Sequence, residues 1–293
     1  MRTFTALIRR EFLEHRGAFL YAPLVLTGLL VLGTLLPFLA GHFHAFFDGK
    51  YGAGRIYEIG YLMGFGGWWF YLMVTLFFYF ANAFSADKRN NSMLFWKSMP
   101  VSDVTMLSSK MAAGLTVFPA LILCAALFTG IWAYVMALMT ASVIPVLGAP
   151  SLAAAVGAFT QVTLTGLVFL IVSLLWYAPF FAWVGGLSTI VGRWSMPLAV
   201  LIPGVLVLLE NGIARSAGAP AGGYIADFLH RRVDFSFGKG AIGDYVLGGL
   251  PLNAVQVVGD LLMRVDWVQM IAGWAFAVVV IYVASEYRRR TLD

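Results

Sequence analysis

The side chains that could carry chemistry are few in this sequence of 293 residues. His42 and His44 form a His-x-His pair, which supplies two imidazole ligands to a metal only if Asp48 or Glu58 completes the set. The single cysteine, Cys124, cannot form an internal disulfide, and its apolar surroundings indicate a small buried residue. There is no His-Glu-x-x-His motif and no Gly-x-Ser-x-Gly motif. We therefore predict no catalytic residue, no metal site and no bound cofactor.

Nucleotide binding by this chain is not indicated either. Lys50 and Lys239 each follow a glycine, but the residues after them are Tyr51 and Gly240. A phosphate-binding loop has serine or threonine at that position and a further glycine upstream. If ATP drives this protein, we expect another chain to bind the ATP and its magnesium ion.

Residues 85–110 include a group of side chains suited to contact another protein. The segment begins polar and then presents a cluster of large apolar residues: Met93, Leu94, Phe95, Trp96 and Met99. Apolar side chains outside a bilayer need to be buried, and docking to a partner protein achieves this. In an alternative interpretation, Phe95 and Trp96 anchor the segment at the bilayer interface. Ser102 or Asp103 is predicted to cap the helix that follows.

Residues 1–17 are predicted to form a cytoplasmic amphipathic helix. The apolar residues that recur there at helical spacing are Phe4, Leu7, Ile8 and Phe12. Glu11 and His15 interrupt that apolar face. We expect this helix to lie in the headgroup layer of a membrane, with its arginines near anionic lipid. The alternative is a charged lead-in to the first membrane span.

The elements that must position these segments are transmembrane helices. The chain is 61% hydrophobic and 11% charged, whereas a soluble domain carries about 25% charged residues. Uninterrupted apolar runs favour helices over a membrane barrel. Because about 20 apolar residues cross the hydrocarbon core, we predict an all-α membrane protein with about six transmembrane helices. Residues 1–293 form a single domain with spans near 18–40, 60–84, 111–142, 152–181, 197–209 and 268–283.

Local features refine these spans. The break between the fourth and fifth spans is left open among Pro179, Gly185, Gly186 and Gly192. Pro119, Pro179, Pro197 and Pro203 are each expected to kink or begin a helix. Because a backbone group freed by proline needs a partner in lipid, we expect any such kink to face other helices. Trp68 and Trp69, in the second span, are predicted to lie in the aromatic belt at the membrane interface.

Residues 210–266 are predicted to form a long periplasmic segment with two short helices. The first helix is expected near Tyr224–Val233, and the second near Leu252–Met263, directly after Pro251. The apolar stripe predicted for the second helix consists of Val255, Val258, Leu261 and Leu262. We expect both helices to pack on the spans as interfacial or re-entrant elements, and a periplasmic cap over a pathway is their functional interpretation.

The distribution of charge orients the predicted spans. Placing the N-terminus inside puts twelve of the 19 Lys and Arg residues on the inner side. Basic residues near span ends favour the cytoplasmic side of a membrane. We therefore predict that both termini are cytoplasmic and that the protein lies in a bacterial inner membrane. This topology accounts for the net charge of +5, so no nucleic-acid partner is indicated.

Three segments of the sequence resemble bacterial permease subunits of type-2 ABC transporters. They are Arg-Arg-Glu-Phe at residues 9–12, the segment 87–103 with Lys110 after it, and the tail Glu-Tyr-Arg-Arg-Arg at 286–290. The resemblance implies an export function, a second permease subunit in a homo- or heterodimer, and a separate ATP-binding cassette subunit that carries ATP and magnesium. The residues it implies at the ATPase contact are Arg9, Arg10, Glu11, Asp87, Lys88, Arg89, Met93, Phe95, Trp96, Lys97, Pro100 and Asp103.

Three alternatives stay open at this point. A membrane anchoring or assembly subunit without transport requires only the docking segment. An ion-coupled secondary carrier usually has ionisable side chains deep in a span, whereas Glu210 and Arg193 lie near span ends. An intramembrane enzyme acting on lipid needs polar groups that converge at one bilayer depth, and the sequence does not indicate such a group.

Overall fold

A computed structural model of the protein describes residues 2–40, 52–89, 101–216, 223–233 and 252–290. Within these ranges the chain is all-helical and contains no strand, as predicted. Its α-helices, in chain order, are α1 (Arg2–Arg16), α2 (Ala22–Leu39), α3 (Ala53–Arg89), α4 (Asp103–Ala112), α5 (Phe118–Val143), α6 (Leu152–Val191), α7 (Ser195–Ser216), α8 (Tyr224–Val233), α9 (Ala254–Arg264) and α10 (Trp267–Arg290).

Five helical stretches of the described chain are long and apolar enough to cross a membrane. They are Thr3–Leu39, Ala53–Ala86, Asp103–Val143, Leu152–Ser216 and Trp267–Arg290. Each predicted span lies within one of these stretches, except that the first extends one residue further, to Ala40, and the fourth stretch contains both the fourth and the fifth predicted spans. The segment predicted as a cytoplasmic loop, 85–110, is partly helical, because α3 continues to Arg89 and α4 begins at Asp103.

The fourth stretch folds back on itself at the turn Gly192–Trp194. Gly192 has φ of +57°, a conformation that ends a right-handed helix and favours glycine. The Trp183 indole nitrogen donates a hydrogen bond to the Ala199 carbonyl at 3.3 Å. In a straight helix these residues would be about 24 Å apart, so α7 runs antiparallel to α6. Of the predicted break positions, Gly192 is the one used, whereas Pro179 lies inside α6.

Helix α3 forms the centre of the bundle and packs between α5 and α6. The Trp68 indole donates to the Thr129 hydroxyl on α5, and the Trp69 indole donates to the Ser173 hydroxyl on α6, both at 2.8 Å. Trp68 is 7% exposed. The prediction that these two tryptophans form an interfacial belt is therefore wrong. Their indole N–H groups find hydroxyl partners inside the bundle, which satisfies a donor that apolar surroundings would leave unpaired.

Two π-helical turns lie side by side in the bundle. The first, Gly17–Tyr21, joins α1 to α2, and the second, Ala113–Val117, joins α4 to α5. Phe19 and Phe118 stack face to face across them, with ring centroids 3.8 Å apart. We refer to Gly17–Tyr21 and Ala113–Val117 together as the paired π turns. A π turn widens a helix locally, so each of these long helices has an irregular point at the same level.

The N-terminal helix packs on protein along its apolar face. Leu7 of α1 is buried against Met106 of α4, and α1 continues through the first π turn into α2. The expected amphipathic helix is present. Its most buried side chains face α4, because both helices extend from the same end of the bundle.

Pro179 and Pro203 each lie inside a helix and leave one backbone carbonyl without its usual N–H donor. In both cases a tryptophan indole N–H donates to that carbonyl. Pro179 cannot donate to the carbonyl of Leu175, and the Trp274 indole from α10 donates to that oxygen at 3.0 Å. Pro203 leaves free the carbonyl four residues before it, which accepts the 3.3 Å hydrogen bond from Trp183. At both prolines the freed carbonyl accepts from a side chain on another helix, as expected, whereas Pro119 and Pro197 lie at the starts of α5 and α7.

The two short helices predicted in the 210–266 segment are present. Helix α8 has the predicted bounds, and α9 begins at Ala254 with Asn253 as its cap, whose side chain accepts from Val255 N at 3.1 Å and Gln256 N at 3.3 Å. Pro251, which was predicted to lie at the start of this helix, is outside the described residues. The predicted apolar stripe is partly wrong, because Val255 is 83% exposed. The buried face consists of Ala254, Val257 and Leu261.

Candidate functional site: the charged end of the bundle

The ends of four helices meet at one end of the bundle and bring charged side chains together. We call this region, comprising α1, the last turns of α3, α4 and the last turns of α10, the charged end. The Gly192–Trp194 turn lies at the same end, since the Ser195 hydroxyl donates to the Ala81 carbonyl on α3 at 2.9 Å. The side chains that define the charged end are Glu11, Tyr79, Asp103, Lys110 and Arg288.

A buried ion pair joins α1 to α4. Lys110 Nζ donates to Glu11 Oε1 at 2.7 Å, and both side chains are 3% exposed. The Tyr79 hydroxyl lies 3.1 Å from Glu11 Oε2 and 3.2 Å from the Lys110 carbonyl oxygen, so either oxygen can accept its hydrogen bond. Three helices therefore share one small polar network. Burying two charges costs solvation energy, which their direct contact and added hydrogen bonds offset.

His15 lies beside this network, one helical turn after Glu11. Its Nδ1 is 3.1 Å from the Glu11 carbonyl oxygen and 3.9 Å from Glu11 Oε2. Its ring packs edge-on against the Tyr79 ring at 4.7 Å. Leu7, Glu11 and His15 are spaced four residues apart and share one face of α1. The two polar residues that interrupt the apolar face in the sequence are therefore placed on the face that packs against α3 and α4.

A second ion pair joins α10 to α4. Arg288 Nε lies 3.3 Å from Asp103 Oδ1, and Arg288 Nη1 donates to the Phe84 carbonyl on α3 at 3.2 Å. Arg288 is 3% exposed, whereas the Asp103 side chain is 27% exposed. Of the two predicted caps for α4, Ser102 is the one used, since its side chain accepts from Thr105 N at 3.2 Å. Asp103, the first residue of α4, is thus free to pair with Arg288.

The charged end contains part of the predicted contact set. Arg9 is exposed, and Arg10 Nη2 lies 3.7 Å from Glu14 Oε2 in a partly exposed pair. Glu11 was predicted to face a partner, but in the structure its carboxylate is buried and occupied by Lys110. The backbone of Asp87, Lys88 and Arg89 forms the end of α3. The predicted residues that lie outside the described part of the chain are Met93, Phe95, Trp96, Lys97 and Pro100.

The charged end therefore includes the helix ends on both sides of the segment 90–100. On one side is the end of α3, and on the other is the start of α4 at Asp103. The ion pairs hold α4 to both α1 and α10.

A different arrangement fixes α8 to the bundle, nearer the other end. Glu210, on α7, accepts from the backbone N–H groups of Ile225 and Ala226 through Oε2 at 2.9 and 3.3 Å. A carboxylate at this position satisfies donors that the first turn of a helix leaves free and complements the helix dipole. Helix α8 is therefore held by α7 at its N-terminal end.

Arg232 holds the C-terminal end of α8. Its side chain is 1% exposed, its Nη1 donates to the Trp176 carbonyl at 3.0 Å, and its Cζ lies 4.3 Å from the Trp176 ring centroid. Nη2 donates to the Gln269 carbonyl on α10. A Cβ at Gly273 would collide with Nη2, so the guanidinium passes where α10 has no side chain. Burial lowers the pKa of Arg232, and Asp266 opposes that shift.

The remaining candidates for chemistry give no site within the described residues. No group of three or more His, Cys, Asp or Glu side chains that could hold a metal is found there. His42 and His44 lie outside the described part of the chain. Cys124 is exposed on α5, so its expected burial is wrong. A helix that contacts lipid can present a small apolar residue outward.

No protein-family model, curated protein or solved structure matches this chain. The functional argument therefore depends on the charged end, on the arrangement of the helices and on the sequence itself.

Proposed function

We propose that this chain is the membrane-spanning permease subunit of an ATP-binding cassette transporter. It exports its substrate through a pathway formed with a second permease subunit. A separate ATP-binding subunit, which carries ATP and magnesium, drives it from the cytoplasmic side. The observation that best supports this proposal is the charged end, where buried ion pairs connect the base of the predicted docking segment to three helices.

The proposed topology has six crossings, with both termini in the cytoplasm. The contacts Tyr79–Lys110 and Trp68–Thr129 mean that α3 runs antiparallel to the α4–α5 helix. The antiparallel pair α6 and α7 supplies the fourth and fifth crossings, and α10 supplies the sixth. This alternation supports the topology, as does the excess of basic residues expected at the charged end.

The proposed coupling works through α1 and α4, which move together because Glu11 and Lys110 tie them. The partner pushes on residues 90–100 and on the exposed side of α1 near Arg9. The paired π turns supply the points at which α1 and α4 change angle relative to α2 and α5. Irregular π turns often occur at functional sites in helices, which favours this assignment.

A second permease subunit is supported by the apolar surface of α2. Leucines along that helix are more than half exposed in the single chain, among them Leu24, Leu29, Leu32 and Leu36. Lipid covers part of such a surface in a membrane, and a second permease subunit covers the rest.

Co-purification tests the proposed partner directly. The tagged chain is isolated in mild detergent, and the proteins that accompany it are identified by mass spectrometry. Trp96→Ala is expected to remove the ATP-binding subunit while membrane insertion is unchanged. Trp194→Ala is the matched control, because Trp194 is 60% exposed and lies at the same end of the bundle but outside the docking segment. Equal recovery of the ATPase with both variants would exclude the docking role.

Cysteine labelling tests the topology independently of any partner. Because Cys124 is the only cysteine, Cys124→Ala provides a cysteine-free background. In that background, Ser92→Cys is expected to react with a membrane-impermeant maleimide only after cell lysis, whereas Ala219→Cys reacts in intact spheroplasts. The reverse pattern would invert the proposed orientation.

A further inference from the structure

An apolar cavity lies between α6, α7, α8 and α10, and the charged end does not use it. Its volume is about 390 Å³, within the range of small-molecule sites. Pro179 and Pro203, at the kinks of α6 and α7, line it, with Trp183 and Phe276 beside them. Leu206 and Phe276 are 44% and 45% exposed at its rim, so the cavity opens sideways between α7 and α10.

The cavity lies at the depth of a bilayer's hydrocarbon core. Trp183 and Pro203 are each about 12 Å along their helices from the Gly192–Trp194 turn, and Glu210 is about 22 Å from it. With that turn at one face of a core about 30 Å thick, the cavity lies near the middle of the core. Helix α8, held by Glu210, then lies near the headgroup layer of the far leaflet.

Basic side chains lie at the end of α8 that closes this cavity. The last turn of the helix contains His230, Arg231 and Arg232. Arg232 lines the cavity, and Arg231, the residue before it on α8, is exposed. The Arg232 guanidinium donates to the Trp176 and Gln269 carbonyls and lies over the Trp176 ring. An apolar cavity that opens sideways below a cationic helix end matches an amphiphile with a negatively charged head.

We infer that this cavity binds one acyl chain of an anionic membrane phospholipid. The chain enters between α7 and α10, and the phosphate lies at the level of Arg231. The inference uses the membrane-spanning arrangement and is independent of any ATPase partner. Carbonyls and the Trp176 ring engage the Arg232 guanidinium, which leaves Arg231 as the residue that selects the headgroup.

Photo-crosslinking tests the inference. Full-length protein is placed in phosphatidylcholine nanodiscs that contain a small fraction of phosphatidylglycerol with a diazirine on one acyl chain. After irradiation, labelled peptides are mapped by mass spectrometry. The expected label is on the cavity side of α7 at Ile202 and Leu206, and weaker on Val200 and Leu201, which are 68% and 56% exposed but do not line the cavity.

One matched pair of variants tests the cavity, and a third variant tests the headgroup contact. Ile202→Trp fills the cavity and is expected to abolish the label on α6 and α10, whereas Leu201→Trp leaves it unchanged. Arg231→Gln is expected to lower the preference for phosphatidylglycerol over phosphatidylcholine about fivefold, since a basic residue at an anionic membrane surface contributes about 1 kcal/mol. Elution of each variant as a single species on size exclusion shows that it is folded.

Three outcomes would overturn the inference. Uniform labelling of all lipid-facing residues would remove the site. Equal competition by unlabelled phosphatidylcholine and phosphatidylglycerol would remove its anionic specificity. Crosslinks between two copies of the chain through the cavity face of α7 would assign that face to a subunit contact instead. In contrast, wild-type labelling within the cavity supports the inference even if Ile202→Trp does not fold.

Discussion

The charged end and the region that holds α8 both bury a cation, but they compensate its charge in different ways. We call the contacts by which Glu210 and Arg232 hold α8 the α8 clamp. At the charged end, Lys110 contacts an opposite charge at 2.7 Å. At the α8 clamp, Arg232 donates to backbone carbonyls and lies over the Trp176 ring. The first arrangement depends on two side chains from different helices, whereas the second depends on the path of the backbone and on the absence of a side chain at Gly273.

This difference indicates what each region can do. An ion pair has two halves that can separate, and each half changes the other's environment when it moves. Carbonyl groups stay where the helices place them, so a guanidinium bound to them acts as a fixed anchor. We therefore expect the charged end to respond to a partner and the α8 clamp to hold one position.

The largest effect is expected when one half of the buried pair is removed. Lys110→Met leaves the Glu11 carboxylate buried without its cation, which costs about 3–5 kcal/mol in the free energy of unfolding. Unfolding in mixed micelles, followed by circular dichroism during a titration with a denaturing detergent, measures this loss. The control Glu14→Gln breaks the partly exposed pair with Arg10 and is expected to cost about 0.3–0.5 kcal/mol. Equal losses for both variants would contradict the burial of the Glu11–Lys110 pair.

Replacing both halves of the pair distinguishes stability from coupling. Glu11→Leu combined with Lys110→Met is expected to regain most of the stability lost in the single variant, because apolar residues can replace a buried ion pair at little net cost. The Tyr79 hydroxyl keeps the Lys110 carbonyl as its acceptor at 3.2 Å. If the pair transmits motion, ATP-driven transport stays low in the double variant. Full recovery of both quantities would give the pair a purely structural role.

The next effect is expected at the α8 clamp. Arg232→Gln shortens the side chain and removes the cation over the Trp176 ring, which we expect to cost about 2 kcal/mol in the opening of α8. Hydrogen exchange of the α8 amides measures that opening. Arg231→Gln, one residue earlier and exposed, is the control and is expected to leave exchange unchanged. Equal protection in both variants would mean that Glu210 alone holds the helix.

Periodicity and composition predicted the helical class and much of the span pattern. The bounds of α8 could also be predicted, because short apolar repeats act locally. The burial of Trp68 and Trp69 could not, since it depends on hydroxyl partners on α5 and α6. Composition alone does not distinguish a tryptophan inside a bundle from one at a membrane interface.

In the candidate site, too, local features could be predicted from the sequence, whereas contacts between helices could not. The sequence identified Arg9, Glu11 and the 85–110 segment as important, and it placed Glu11 on the apolar face of the first helix. It did not indicate that Lys110, 99 residues later, would meet that carboxylate. The available signal was the polar residue at a position where helical spacing predicts burial. A buried charge at such a position requires a partner of opposite charge, and the candidates are the basic residues on helices that end at the same face.

The smallest effect is expected at the Pro179 kink, where a neutral hydrogen bond is lost. Trp274→Phe keeps an aromatic ring on α10 but removes the N–H group that donates to the Leu175 carbonyl at 3.0 Å. Because the proline has already freed that oxygen, no backbone donor replaces the indole, and we expect a loss of about 1 kcal/mol. The control Trp194→Phe is expected to change nothing, since Trp194 is exposed. The same unfolding titration measures both variants. If Trp274→Phe lowered the free energy of unfolding as much as Lys110→Met, the hydrogen bond at Pro179 would contribute as much to stability as the buried ion pair. That result would contradict the distinction between a separable ion pair and fixed carbonyl contacts.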